Sequence, residues 1–245
     1  KATKARQAQS RVKQLEKITV EDVPQSIHRT PHFKLPIAYE SGKDLLRIES
    51  LGKSFGSKTV LKDVSFTVRK GDRIAIVGAN GIGKSTLLKI LSGGLAADNG
   101  RFEWGTNVLP GYFPQDHTEV LSKPSASVLE TVWGHDSQLD ESHVRGILGA
   151  ALFTGDDVHR SIERLSGGEA ARTILSILTI QQPNVLIIDE PTNHMDIATA
   201  DALAQTLESY EGSVILVSHD RNFLSKIATR VIEVRADSLI PYDGT

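Results

Sequence analysis

The sequence has 245 residues, 39% apolar and 24% charged, with a formal net charge of −2 and no cysteine. That length suits one large domain, or one domain with an appendage, and excludes neither; the composition excludes a disordered or fibrous chain. The missing cysteine excludes a disulfide framework and Cys-ligated zinc or iron–sulfur centres, and the near-zero charge excludes bulk electrostatic binding of nucleic acid by the whole chain.

The charge is uneven. Residues 1–34 hold eight Lys/Arg against Glu16, Glu21 and Asp22, a balance of +5 that leaves −7 for the rest. Within Lys1–Lys17, Ala5, Ala8, Val12 and Leu15 recur at spacings of three and four, which predicts a basic helix with a narrow apolar seam. Such a helix is marginal alone and is expected to pack on a partner helix or an acidic polymer, with its basic side chains on phosphates or in water. Pro24, Pro31 and Pro36 then predict an extended linker. No apolar run approaches the ~18 residues of a membrane span. The start, Lys1-Ala-Thr-Lys4, carries neither an initiator Met nor the apolar stretch of a signal peptide, so a cytoplasmic protein and a piece of a longer chain are expected.

From Leu45 onward the pattern is α/β. Leu45–Leu51 and Val64–Val68 alternate and predict an antiparallel edge layer, whereas the short β-branched runs Ile74–Val77, Val185–Ile188, Val214–Val217 and Val231–Val234 predict a mainly parallel core sheet. Between them, residues from about 118 to 165 read as a helical subdomain. Ser127-Val-Leu-Glu130 is a capping-box pattern opening one helix there, and Val144–Leu152 predicts a second.

Three motifs carry chemistry. Gly78-Ala-Asn80-Gly81-Ile-Gly83-Lys84-Ser85 follows a strand and opens the periodic helix Thr86–Leu91, the context of a phosphate loop. Its glycines let backbone N–H groups converge on phosphate oxygens, and the helix terminus adds positive potential. Lys84 is placed to meet the β- and γ-phosphates and Ser85 to hold Mg²⁺. Val185-Leu-Ile-Ile-Asp189-Glu190 is an apolar strand ending in two carboxylates, which are costly there without a cation or a bound water. Side chains alternate along a strand, so Asp189 suits Mg²⁺ and Glu190 the attacking water. Leu165-Ser166-Gly167-Gly168-Glu169 caps the helix Ala170–Ile180, with two helix-weakening glycines that leave an exposed anion site at its start.

These motifs, in this order, resemble the ATP-binding-cassette (ABC) ATPases from Leu45 to Val234. Gly78–Thr86 matches the Walker A loop, Val185–Glu190 Walker B, and Leu165–Glu169 the signature, with Arg172 at the family's usual arginine. Phe55 matches the aromatic that stacks on adenine, Gln115 the Q-loop glutamine that reaches Mg²⁺, Asp196 the D-loop aspartate and His219 the switch histidine that reaches the γ-phosphate. Glu190-Pro-Thr-Asn-His-Met-Asp196, Ser218–Leu224, Leu152–Asp157 and Tyr242-Asp-Gly244 are similar to the ABC-F branch. Ala170-Ala171 and Met195 depart from it without touching a chemical group.

The resemblance implies an ABC-type P-loop ATPase domain, with residues 1–36 as a basic interdomain linker and residues 37–245 as the second cassette of a longer protein. It implies ATP and Mg²⁺, catalysis by Glu190, His219, Lys84 and Gln115, and a composite site closed by another cassette's Ser166–Glu169 counterpart. That partner is the protein's own first cassette or a second copy of this chain. ABC-F proteins act on the ribosome near the exit tRNA site, and some protect it from antibiotics, which implies rRNA and tRNA as neighbours of the basic linker. The alternatives are the soluble nucleotide-binding subunit of a transporter and an ATP-binding scaffold with little activity alone. The remaining histidines lack metal-ligand spacing, and Trp104 and Trp133 are expected to pack rather than to bind nucleic acid.

Overall fold

A computed structural model describes residues 30–235 and 238–244. The basic helix expected at Lys1–Lys17 and the first part of the linker lie outside the described residues.

The two sheets separate as the alternation predicts. β1 (Asp44–Phe55), β2 (Lys58–Arg69) and β4 (Asn99–Trp104) form an antiparallel sheet in the order β2-β1-β4. The main sheet runs β5-β6-β7-β3-β8-β9, built from β3 (Arg73–Val77), β5 (Pro110–Phe113), β6 (Val185–Asp189), β7 (Ser213–Val217), β8 (Arg230–Val234) and β9 (Leu239–Asp243). Its first five members are parallel and β9 is antiparallel to β8.

Burial on both faces explains the unbroken apolar runs. Val185 and Ile187 enter one core with Leu45, Leu46 and Leu61 of the antiparallel sheet and Leu87 and Leu88 of α1 (Lys84–Leu91). Leu186 and Ile188 enter a second core on the opposite face with α4 (Gly167–Gln181), α5 (Ile197–Ser209) and α6 (Arg221–Ile227). α2 (Val128–Trp133) and α3 (Glu141–Ala150), with short 3-10 turns around them, form the helical insertion and join the second core. The Ser127–Glu130 capping box is present. α3 starts three residues earlier than its apolar pattern, because Asp140 caps it, and stops at Ala150, beyond which Leu152 turns left-handed (φ 68°).

The proline-rich stretch has no helix or strand at residues 30–36 but does not hang free: Phe33 and Leu35 are buried in the second core. Trp133 donates its indole N–H to Leu139 O, and Trp104 packs edge-on against Phe102, so both are packing residues. Among the described residues no helix is long and apolar enough to cross a membrane.

Candidate nucleotide site

The phosphate loop leaves β3 at Val77 and re-enters helix at Lys84. Gly78, Gly81 and Gly83 have φ of 150°, 72° and 113°. A Cβ on Gly78 would lie 2.5 Å from Val234 O, and one on Gly83 2.8 Å from Val60 and Leu61. The loop is thus wedged between β8 and β2, and two of its glycines are required by contact as well as by backbone conformation. Gly83 caps α1 without any side-chain bond, so no side chain competes for the helix's first amides. Lys84 is buried and folds over the loop, donating to Gly78 O (3.0 Å) and Ala79 O (3.1 Å). Asn80 and Gly81 stand exposed at the crest, and Thr86 is half-buried one step into the helix.

The two carboxylates diverge. Asp189 ends β6 fully buried, and its Oδ1 accepts from Ser85 Oγ at 3.2 Å. Its Oδ2 has no hydrogen-bond partner. Burial raises the Asp189 pKa; the Ser85 hydroxyl opposes this and the Glu190 charge adds to it. An orphaned, desolvated carboxylate oxygen beside a serine hydroxyl is a hard-oxygen donor set that fits Mg²⁺, whose remaining positions water and phosphate oxygens normally fill. Gln115, exposed after β5, shares a cavity of about 480 Å³ with Ser85 and Asp189.

Glu190 turns into the left-handed region (φ 46°, ψ 54°), a conformation seldom held by a non-glycine residue. Its N–H is fixed by Val217 O at 2.9 Å. The carboxylate is consequently aimed at the end of β7, where the His219 N–H donates to Oε2 at 3.1 Å and His219 Nε2 lies 3.3 Å from Oε1. The acids are adjacent in sequence, yet one faces Ser85 on α1 and the other His219 beyond β7.

Ser166 caps α4 in a full capping box with Glu169: its Oγ accepts from the Glu169 N–H, and its own N–H donates to Glu169 Oε2 at 2.8 Å. Ser166 and Gly167 are exposed, Gly168 and Glu169 half-buried, and Gly167 reaches the rim of the same cavity. Arg172, one turn on, lies 3.7 Å from Asp196 and over the Phe153 ring. Phe55 is half-exposed at the tip of β1. It pairs across the hairpin with Lys58, whose Nζ lies 4.0 Å from where a Gly81 Cβ would stand.

Sequence reasoning missed some of the lining. Lys89 and Glu119 form an ion pair at 2.9 Å on the cavity wall, and Arg160 donates to Glu169 Oε1 at 2.6 Å. None of these sits in a motif; for Lys89 the available signal was its place one turn past Ser85 on the phosphate helix.

Side chains arranged in this way on a mainly parallel sheet define a phosphate-loop nucleotide-binding domain. Residues 61–193 match the ABC transporter family, and the chain belongs to that family as an ATP-binding cassette. It is 40% identical over 245 residues to the probable ATP-binding protein YbiT of Escherichia coli O157:H7, covering 99% of this chain and 46% of that protein. Over 235 residues it is 36% identical to ABC transporter F family member 5 of Arabidopsis thaliana, covering 95% of this chain and 34% of the relative. The chain therefore spans about half, or less, of these relatives' length. The fold is shared with a dimeric, post-hydrolysis ATP-binding cassette, MJ0796, bound to ADP and Pi; TM-score is 0.69 at 20% identity, over 81% of this chain and 98% of that one.

Proposed function

We propose that this chain hydrolyses ATP as the second cassette of a two-cassette ABC-F protein, with residues 1–36 as the end of the basic interdomain linker and residues 37–245 as the cassette. The observation that carries the reading is the division of labour between Asp189 and Glu190: one carboxylate turned to Ser85, the other held by the His219 N–H.

The residue roles follow from chemistry. The loop amides and Lys84 bind the triphosphate; its entry replaces the Gly78 and Ala79 carbonyls as partners of the ammonium. Ser85, Asp189 and Gln115 would hold Mg²⁺, which would supply neutralising charge to the phosphates. Glu190 takes a proton from the water whose oxygen bonds to the γ-phosphorus as the β–γ bridging bond breaks. His219 braces Glu190 and faces the γ-phosphate. Phe55 stacks on the adenine.

One cassette leaves the γ-phosphate open to solvent. The start of α4, with Ser166 and Gly167 exposed, is suited to close it on a facing cassette, in the manner of the dimeric neighbour. ATP thereby acts as a clamp, closed when bound and open after hydrolysis. The clamp's target is the ribosome, in translation control or antibiotic protection. This is supported by the Glu190–Asp196 run, the +5 N-terminal segment and the F-family relative.

The test is the Glu190→Gln variant. Turnover should fall by at least ~100-fold with ATP still bound, and Mg·ATP should double the mass of the variant chain or lock it to its companion cassette. Wild-type phosphate release in the variant refutes the assignment. For the target, the full-length variant should co-sediment with ribosomes only when ATP is present.

A further inference from the structure

Asp98 precedes β4, far from every motif, yet it grips the strand tip that carries Phe55. Its Oδ1 accepts from Lys53 Nζ at 2.7 Å and its Oδ2 from the Ser54 N–H at 2.7 Å, while its own N–H donates to Gly52 O at 2.9 Å. One side chain thus ties down the two residues immediately before Phe55, and its backbone ties down a third. Lys53 is largely buried at this contact and sets its ammonium 5.6 Å from the Phe55 ring centroid. The ammonium therefore sits against the ring on one side, and about half of Phe55 remains open to solvent. An aromatic that is to receive a flat ligand face needs a fixed plane, because side-chain and strand-end ordering is otherwise lost from binding.

We propose that Asp98 and Lys53 form a clamp that positions Phe55 as the base platform of the nucleotide site. They are positioning residues, acting through Phe55 and touching neither the phosphates nor the metal. This deepens the ATP-site reading above and rests on it. The ligand class follows: the clamp serves a purine carrying a triphosphate and is irrelevant to a bare triphosphate chain. The Lys53 charge strengthens the pair in both directions, since it neutralises Asp98 while contacting the ring's negative face.

The test compares binding of Mg·ATP and Mg·tripolyphosphate by titration calorimetry in wild type, Phe55→Ala, Asp98→Ala and Lys53→Met, each checked for an unchanged melting transition. Base–aromatic stacking is worth ~1–3 kcal/mol, so Phe55→Ala should weaken ATP by roughly 5- to 100-fold. Asp98→Ala and Lys53→Met should weaken ATP by about three- to tenfold, and tripolyphosphate by less than about twofold. The double variant Phe55→Ala/Asp98→Ala should bind ATP no worse than Phe55→Ala alone, an outcome a general loss of structure would not give. Equal weakening of both ligands by Asp98→Ala overturns the clamp, as does unchanged ATP affinity in that variant when Phe55→Ala is impaired. Unchanged ATP affinity in Phe55→Ala overturns both the clamp and the base-stacking part of the ATP reading. Absence of ATP binding in wild type sinks the ATP reading itself.

Discussion

Glu190 and His219 stand at the ends of neighbouring parallel strands, 29 residues apart in sequence, and meet twice: the His219 N–H on Oε2 at 3.1 Å, and its Nε2 3.3 Å from Oε1. The backbone contact holds the carboxylate whatever the side chain at 219. His219→Ala should therefore leave Glu190 aimed and Mg·ATP affinity within about twofold, while kcat falls roughly tenfold or more through lost γ-phosphate contact. Phosphate-release kinetics over a range of ATP concentrations separate the two parameters; a rise in KM with unchanged kcat would remove the imidazole from the reacting end.

Arg172 and Asp196 join the signature helix to the D-loop, and the two residues are not equal in weight. Asp196 caps α5 through the Thr199 N–H (2.8 Å) and the Thr199 hydroxyl (2.9 Å), whereas Arg172 reaches it only at 3.7 Å and rests on Phe153. Asp196→Ala should cost ~1–2 kcal/mol, mostly the cap. Arg172→Met should cost about 1 kcal/mol at most, since the ion pair is partly in water. A double-mutant cycle in urea should give a coupling below ~1 kcal/mol; a larger value would make the ion pair, not the cap, the principal link.

Glu169 gives a pH signature in the nucleotide-free protein. Burial opposes its charge, but the Ser166 N–H, the Arg160 guanidinium and the Ser166 hydroxyl prevail and hold its pKa below the ordinary 4.5. A depressed carboxylate pKa contributes stability that is present above 4.5 and lost as pH falls through the lower folded value. Glutamine keeps the capping box but not the charge. Glu169→Gln should therefore be less stable than wild type at pH 7, and the two melting curves should converge in acid. A gap independent of pH would mean that packing, not the Arg160 pair, is what the substitution removes.

Gly78→Ala supplies the counterpart to the base clamp. The added methyl would stand 2.5 Å from Val234 O at a φ of 150°, so the loop or the end of β8 must shift. Affinity for Mg·ATP and for Mg·tripolyphosphate should fall together, by about tenfold or more. Selective loss of ATP alone would contradict a phosphate role for this loop.

The legible parts of the fold were those with a strong local period. Strands buried on both faces read as apolar runs, and both capping boxes, at Ser127 and Ser166, are present, although the helix after Ser166 starts at Gly167, three residues before the expected Ala170. β4, β5 and β9 had no such signal. β5 is four residues long and begins Pro-Gly; its Gly111 is demanded by Pro183 and Leu178, which a Cβ would meet at under 3 Å. β4 opens with Asn99-Gly100, a turn signal, because Gly100 must pass the Glu49 and Ser50 carbonyls with φ 74°. Phe33 and Leu35 show alternation too short to register beside three prolines, and their burial depends on distant helices.

At the site, the motifs placed the phosphate loop and both acids, because such chemistry is written in contiguous residues. The left-handed backbone at Glu190 was not legible, since it depends on Val217 of another strand. Nor was Asp98, which acts on residues 44 and 45 positions away.

Five strands of the main sheet run the same way, so Gly78, Gln115, Asp189 and His219 all emerge at one rim. The candidate site residues therefore share one edge of the sheet. Turns on the far rim, such as the one at Lys70-Gly71 between β2 and β3, share no atom with the nucleotide cavity. Those turns are where a reporter dye or a short insertion can be grafted while the working edge stays intact.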